Sequence, residues 1–365
     1  MLINANALSI PLANKCVHTI VTSPPYYGLR DYGTAKWQGG DSECKHTISM
    51  PTKWNDPKRG YDVLRPEVAN RGGDSTRCHL CGAIRIDEQI GLELTPDAYI
   101  ANLVEVFREC KRILRDDGTL WVNIGDSYAG NMSRASNNGC AGFGTTREGI
   151  FNRGGDGIKD KDLIGIPWML AFALRADGWY LRQDIIWAKP NPMPESVKDR
   201  CTKSHEYIFL LSKSARYYYD NEAVKEPVSD VSMKRAEYGW DCDRPSTKNG
   251  SMGGEGIHTE KMGTRFVDPA GRNKRDVWTV TTKPYTGAHY ATFNPDLIKP
   301  CILAGAPEGG IVFDPFVGSG TTVATAIQLN RKGIGIDLSY KYLQENAKVR
   351  VEAAELPLLK LIEQY

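Results

Sequence analysis

Residues 22–28 read Thr-Ser-Pro-Pro-Tyr-Tyr-Gly and carry the densest chemistry in the chain. They follow an apolar run, residues 17–21, patterned as a buried strand, so the two prolines fall where a sheet gives way to a loop. An open α/β sheet carries its chemistry at that place. Pro24 and Pro25 lack backbone N–H groups and have fixed φ, so the carbonyls of Ser23 and Pro24 can face outward as rigid acceptors without a ladder partner. The Ser23 hydroxyl adds a polar group, and Tyr26 adds a ring on which a flat group can stack, with Tyr27 as a second ring or a wall. Acceptors beside a ring suit a planar heterocycle bearing an exocyclic amine. A proline-rich strand exit with surface tyrosines would spell the same letters.

A second stretch far along the chain separates the two readings. Residues 311–322 read IVFDPFVGSGTT: a short apolar strand ends in Asp314, passes through Gly318, Ser319 and Gly320, and enters a helical pattern at Thr321 and Thr322. Strand, glycine turn and helix bring backbone N–H groups and a helix N-terminus against an anionic part of a cofactor. The next strand, residues 333–336, ends in Asp337, where a carboxylate can hold ribose hydroxyls. A nucleotide triphosphatase would need a P-loop lysine, and a dinucleotide enzyme a third glycine; the turn has neither. S-adenosylmethionine has a carboxylate, an amine and a ribose but no phosphate, and it fits Asp314, a helix N-terminus and Asp337.

TSPPY followed by DPFVGSGTT, in that order, resembles the β class of DNA amino-methyltransferases, in which the catalytic motif precedes the cofactor motif. The resemblance implies an α/β fold: a circularly permuted, Rossmann-like sheet, mostly parallel with an antiparallel edge. It implies Ser23, Pro24, Pro25 and Tyr26 as catalytic residues, S-adenosylmethionine bound by residues of the second motif including Phe316, and double-stranded DNA as partner. Enzymes of this kind acting on adenine N6 usually carry Asp or Asn before Pro-Pro and those acting on cytosine N4 usually carry Ser, so Ser23 favours cytosine, with adenine as the alternative. Where related enzymes read Gly-Asp-Ala and the acid touches the cofactor adenine, this chain reads Ala5-Asn6-Ala7. Asn6 can bond an adenine edge or simply make a turn. His289 and Phe293 correspond to a segment lining the cofactor pocket, followed here by Asn294 in place of the usual Pro. The resemblance leaves room for a homodimer and a restriction endonuclease counterpart. The rivals are a C5-cytosine enzyme using Cys301 after Pro300, an RNA or protein-glutamine methyltransferase, and a DNA-binding protein without activity.

With 365 residues, 41% hydrophobic and 25% charged, the chain can bury a full core. A net charge of +2 is too small to announce a nucleic-acid partner, so any DNA contact has to come from local clusters. The start lacks a basic, apolar leader and no run of about 18 apolar residues occurs, which points to the cytoplasm. Nine cysteines, an odd number, argue for reduced thiols and for metal where they gather. They gather in the Gly-, Lys- and Arg-rich insert of residues 34–90, where Cys44 and His46 precede Cys78 and Cys81 in a CxxC followed by Gly. Those four suit one structural zinc, with His79 as a substitute ligand and free surface thiols as the alternative.

The elements that must position these groups follow in order. Residues 95–114 have a capping Thr95 and apolar residues at helical spacing; Asp116, Asp117 and Gly118 end that helix, and residues 119–124 form a buried strand. Asp126, at its carboxyl end, either supports the site from behind or caps its own loop. Residues 129–161 read as a mobile loop, residues 163–177 as a helix, and residues 180–189 and 205–212 as an antiparallel pair at the sheet edge. Arg200 and Lys203 lie beside that pair, suited to phosphate. Residues 220–285 break the α/β rhythm with scattered aromatics and the basic cluster Arg272, Lys274 and Arg275; in the β class this interval holds the target-recognition region. The chain thus divides into a catalytic half (1–33 and 91–219), a zinc-binding insert (34–90), a recognition region (220–285) and a cofactor half (286–365). A helix over residues 338–354 closes the pattern.

Overall fold

The computed structural model describes residues 1–28, 35–46, 52–55, 62–65, 77–87, 89–93, 95–129, 157–159, 161–228, 271–282 and 294–362. At its centre runs β2 (Val17–Thr22), buried on both faces as an interior parallel strand must be. Alternation splits the core at its end, with Ile20 packed on one side and Val21 on the other, while Val17, before the register shift at His18, joins the side of Ile20.

Among the described residues, eight strands form one sheet in the order β1 (Leu2–Asn4), β12 (Lys332–Asp337), β11 (Ile311–Asp314), β2, β7 (Leu114–Ile124), β9 (His205–Ser212), β8 (Tyr180–Ala188) and β10 (Val277–Thr279). The last strands of the chain lie between its first two, which is the circular permutation. Every pairing is parallel except those of β9, which runs against both β7 and β8. Two further antiparallel pairs belong to the insert, β3 (Lys36–Gln38) with β6 (Ile84–Ile86) and β4 (Thr52–Asn55) with β5 (Asp62–Arg65).

One face is covered by α1 (Pro96–Ile113) and α2 (Ile166–Ala176). Helix α1 is capped by Thr95, whose hydroxyl accepts from the Ala98 N–H, and it buries Tyr99, Leu103, Val106 and Phe107. The other face takes α3 (Pro295–Gly305) through Leu297, Ile298, Cys301 and Ile302, and α4 (Thr321–Gln328) lies over β11 and β12. A short turn, Tyr340–Tyr342, and a π-helical turn, Leu343–Ala347, lead into α5 (Lys348–Ile362). No described helix is long and apolar enough to cross a membrane.

Several expectations shift. Asp116, Asp117 and Gly118 do not form a separate turn, because Leu114 already pairs with Val17 and the extra residues are absorbed as a bulge before Thr119 pairs with Thr19. The antiparallel pair is not outermost, since Val277–Thr279 pairs with β8 beyond it and buries Trp278. Helix α2 starts at Ile166 rather than Leu163, which instead bridges to Tyr128. The helix expected over residues 338–354 is three segments, interrupted by the π turn. The mobile-loop reading falls largely on residues 130–156, and Tyr238, Trp240, Phe266, Tyr285, His289 and Phe293 also lie outside the described residues.

Candidate functional site

Parallel strands end together, so β2, β7, β11 and β12 bring their carboxyl ends, and the residues that follow them, to one edge of the sheet. The start of β9 joins them there because that strand runs in reverse.

On one side of β2 lies the glycine turn. Asp314 ends β11 almost fully buried, and its carboxylate accepts from the Thr22 hydroxyl (2.6 Å), the Thr322 hydroxyl (2.6 Å) and the Phe316 N–H (3.0 Å). Burial outweighs those donors and pushes this carboxyl up to about 6. Asp337, one strand over, accepts from the Gly318 N–H (3.2 Å) and the Ser339 N–H (2.9 Å), one on each oxygen, and keeps lone pairs for a ligand. Burial raises its pKa as well. Gly320 caps α4 with φ +80°, where a Cβ would lie 3.0 Å from the Ala347 carbonyl. Ser319 and Thr321 are buried, and Arg350 of α5 donates to both hydroxyls. Phe316 packs against the edge of the core. Asn6 follows β1, itself paired with β12 through Asn4 and Asp337, and its side chain accepts from the Leu8 N–H (2.9 Å), as a turn asparagine does.

On the other side lies the proline loop. Pro24 is buried and Ser23 half-buried, with the Ser23 hydroxyl within hydrogen-bonding reach of the Tyr26 oxygen. The Tyr99 hydroxyl donates to the Pro25 carbonyl (2.8 Å), pinning the loop to α1. Tyr27 is buried against Tyr99, ring centroids 5.3 Å apart, which makes it a packing residue. Tyr26 donates to Glu206 Oε2 (2.7 Å) beside Asn123 and lies on the backbone of Gly125, where a Cβ would come 2.8 Å from its ring. Burial first, and the Glu206 charge second, hold the Tyr26 pKa well above its usual value. Glu206 is ion-paired with Lys189.

Asp126 accepts from the backbone N–H groups of Gly165 (3.0 Å) and Ile166 (3.0 Å), so it caps α2. Lys203 donates to the Asp126 carbonyl (2.5 Å), and burial lowers its pKa. Arg200 pairs with Glu195 (2.5 Å) and lies over the Tyr128 ring, 3.9 Å from its centroid. These two basic residues therefore border the edge at which the parallel strands end. Arg272, Lys274 and Arg275 precede β10 on the flank of the sheet, all facing Glu226 at 3.3, 3.7 and 2.9 Å.

In the insert, the ligand atoms of Cys44, His46, Cys78 and Cys81 all lie within 4.8 Å of one another. Gly82, with φ +73°, donates back to the Cys78 carbonyl (2.8 Å), folding the CxxC into a knuckle, and Trp37 stacks on His46. Three thiols and an imidazole in that space are donor types that a four-coordinate metal ion such as zinc takes. The insert leaves the proline loop at Gly28 and returns at Gly91, whose carbonyl accepts the Gly28 N–H (2.8 Å); a Cβ on Gly91 would lie 3.1 Å from the Tyr26 carbonyl. Cys301 is buried in α3, where burial pushes its thiol pKa up, so it offers no nucleophile.

Motif reading missed Asn123, Lys189, Glu206 and Arg350. The available signal was a polar residue, Glu206, opening an otherwise apolar strand pattern.

Comparison with known proteins gives a consistent picture. A family model described as DNA methylase matches residues 17–348. The Type II methyltransferase M.Cfr9I of Citrobacter freundii is 40% identical over 348 residues, 94% of this chain and 84% of that one. M.SmaI of Serratia marcescens is 39% identical over 333 residues, 91% and 83% of the two chains. Among solved structures, the cytosine-N4-specific PvuII DNA methyltransferase matches with a TM-score of 0.52 at 12% identity, over 96% of this chain and 85% of that one, which shows a shared fold.

Proposed function

The chain belongs to the DNA methylase family of N4/N6 amino-methyltransferases, and on that premise we propose that it methylates the N4 amine of cytosine in duplex DNA, with S-adenosylmethionine as donor. The observation that carries the base assignment is Ser23 directly before Pro24-Pro25, the residue that the resemblance associates with cytosine. The donor set fits the cofactor: Asp337 has acceptor capacity for ribose hydroxyls, and the turn through Gly318, Ser319 and Gly320 ends at a helix N-terminus. When bound, S-adenosylmethionine supplies an electrophilic methyl group on a sulfonium sulfur.

The protein's own part is placement. The Ser23 hydroxyl and the Pro24 carbonyl accept from the exocyclic amine, which withdraws its lone pair from the ring and aims it. The Tyr26 ring stacks the extruded base; at about 1–3 kcal/mol this offsets much of the few kcal/mol needed to unpair it. Lys203 and Arg200, at the same edge, hold backbone phosphates. The Type II names of the relatives suggest a restriction endonuclease that recognises the same site.

Incubation of the purified protein with mixed-sequence duplex DNA and S-adenosylmethionine, followed by nucleoside digestion and mass spectrometry, tests this. N4-methylcytosine is expected. N6-methyladenine alone overturns the base assignment, and no methylated base overturns the reaction.

The knuckle of Cys44, His46, Cys78 and Cys81 holds a structural zinc in this reading, supported by the compact thiol and imidazole set. Elemental analysis of gently purified protein should find about one zinc per chain, and a metal-free preparation would end the assignment.

A further inference from the structure

We propose that Glu206 and Lys189 are positioning residues which hold Tyr26 by its hydroxyl, and so fix the angle at which its ring receives the target base. The inference rests on the reading of Tyr26 as the stacking residue. Tyr26 has a single proton to donate, and Glu206 Oε2, at 2.7 Å, is its nearest acceptor; Asn123 Oδ1 stands off at 3.4 Å. The same Glu206 oxygen accepts from Asn123 Nδ2 (3.2 Å), which also donates to the Tyr207 carbonyl (3.1 Å), so the acceptor is tied to the backbone of its own strand. The other oxygen meets Lys189. The Lys189 side chain is 17% exposed and that of Glu206 14%, so neither can swing into water without undoing the pair. Lys189 is immobilised in turn: its ammonium lies 4.3 Å from the centre of the Trp187 ring, and the Trp187 indole donates to the Val280 carbonyl (2.8 Å).

The tyrosine ring is thereby held by its edge on Gly125 and by its hydroxyl on Glu206; the Ser23 hydroxyl also reaches that phenol oxygen. A ring free about its side-chain torsions would have to be ordered by each arriving base, and that ordering cost falls on the bound complex. A ring fixed in advance spares it. Holding a phenol hydroxyl takes an acceptor that does not turn, and a charged carboxylate clamped between an ammonium and an amide meets that need. Stacking alone would not need the hydroxyl, because a phenylalanine ring stacks too.

Single-turnover methyl transfer to plasmid DNA, with protein in excess, is the readout, alongside calorimetric cofactor affinity. Tyr26→Phe and Glu206→Gln should each slow transfer by about 10- to 100-fold with cofactor affinity unchanged, and the double variant should be no slower than Tyr26→Phe alone, within about twofold. Multiplicative losses in the double variant, or a Glu206→Gln enzyme at the wild-type rate, overturn the proposal. Should Glu206→Gln fail to fold because Lys189 is left without its counter-charge, the neutral pair Glu206→Gln/Lys189→Gln replaces it in the same cycle. A wild-type protein that transfers no methyl group defeats the parent reading instead, an outcome distinct from any of these.

Discussion

The two sides of β2 are built on opposite plans. On the side of the glycine turn, residues 314–322 fold within one short stretch, and the two carboxylates there are met by neutral donors: Asp314 by the Thr322 hydroxyl and Phe316 N–H of the turn and the Thr22 hydroxyl of β2, Asp337 by the N–H groups of Gly318 and Ser339. On the side of the proline loop, Tyr26, Asn123, Lys189 and Glu206 converge from four separate elements and are held by an ion pair. A turn bonded mostly within itself depends little on distant strands, whereas a convergent cluster is rigid only if the whole sheet is. Disturbing the first should therefore damage folding, and disturbing the second should damage catalysis.

Substitutions can break that contrast. The largest effect on stability is expected from Asp314→Ala, which leaves the buried Thr22 hydroxyl and Phe316 N–H without their acceptor and Thr322 with the Val21 carbonyl alone, and should cost about 3–5 kcal/mol in urea unfolding; a loss below about 1 kcal/mol would show that the turn stands without its carboxylate. Asp314 also predicts a pH signature. Its folded pKa, about 6, lies above the unfolded value, so its contribution is full below about pH 4, is lost as the pH rises through 6, and is flat beyond. Asp314→Asn should remove that slope, on the order of 3 kcal/mol between pH 4 and 7. On the base side, Ser23→Ala should lower the methyl-transfer rate by about 100-fold while leaving the urea midpoint and cofactor affinity in place.

That division also explains what could be read from the letters. Local turns announce themselves: Pro24-Pro25, the glycines at 318 and 320, Asp337 at its strand end, Thr95 as a cap and the CxxC of Cys78 and Cys81 all sit where their spacing placed them. Convergence does not. Glu206 and Lys189 meet only because β9 runs against its neighbours, and Val277–Thr279 reads as part of a polar interval because three residues on an edge are too few to show a period. Arg272, Lys274 and Arg275 form a basic cluster in sequence, but in space Glu226 faces all three. Asn6, with its turn bond to Leu8, shows a motif position whose role its letter leaves undecided.

Two smaller effects sharpen the contrast. Asp337→Ala should weaken cofactor binding by about 10- to 30-fold in calorimetry, the scale of one or two hydrogen bonds to a charged acceptor, and unchanged affinity would remove Asp337 from the site. Least of all should change with Arg272→Gln, on the flank and facing Glu226 at 3.3 Å: DNA affinity should shift by less than about threefold, against a larger loss and a shallower salt slope for Lys203→Gln. The reverse ranking would move the DNA from the catalytic edge to the flank.

The hydrogen bond from Gly28 to Gly91 has a consequence for how such chains diversify. Because the insert departs and returns through one doorway, everything beyond that doorway can lengthen, shrink or be exchanged while the proline loop keeps its register. Doubling its length would add only about 0.6 kcal/mol of closure entropy. The doorway itself is the inflexible part, since a side chain at position 91 would press on the Tyr26 carbonyl. The insert is thus interchangeable cargo on a fixed mount, and a graft that keeps Gly28 and Gly91 keeps the mount of the proline loop.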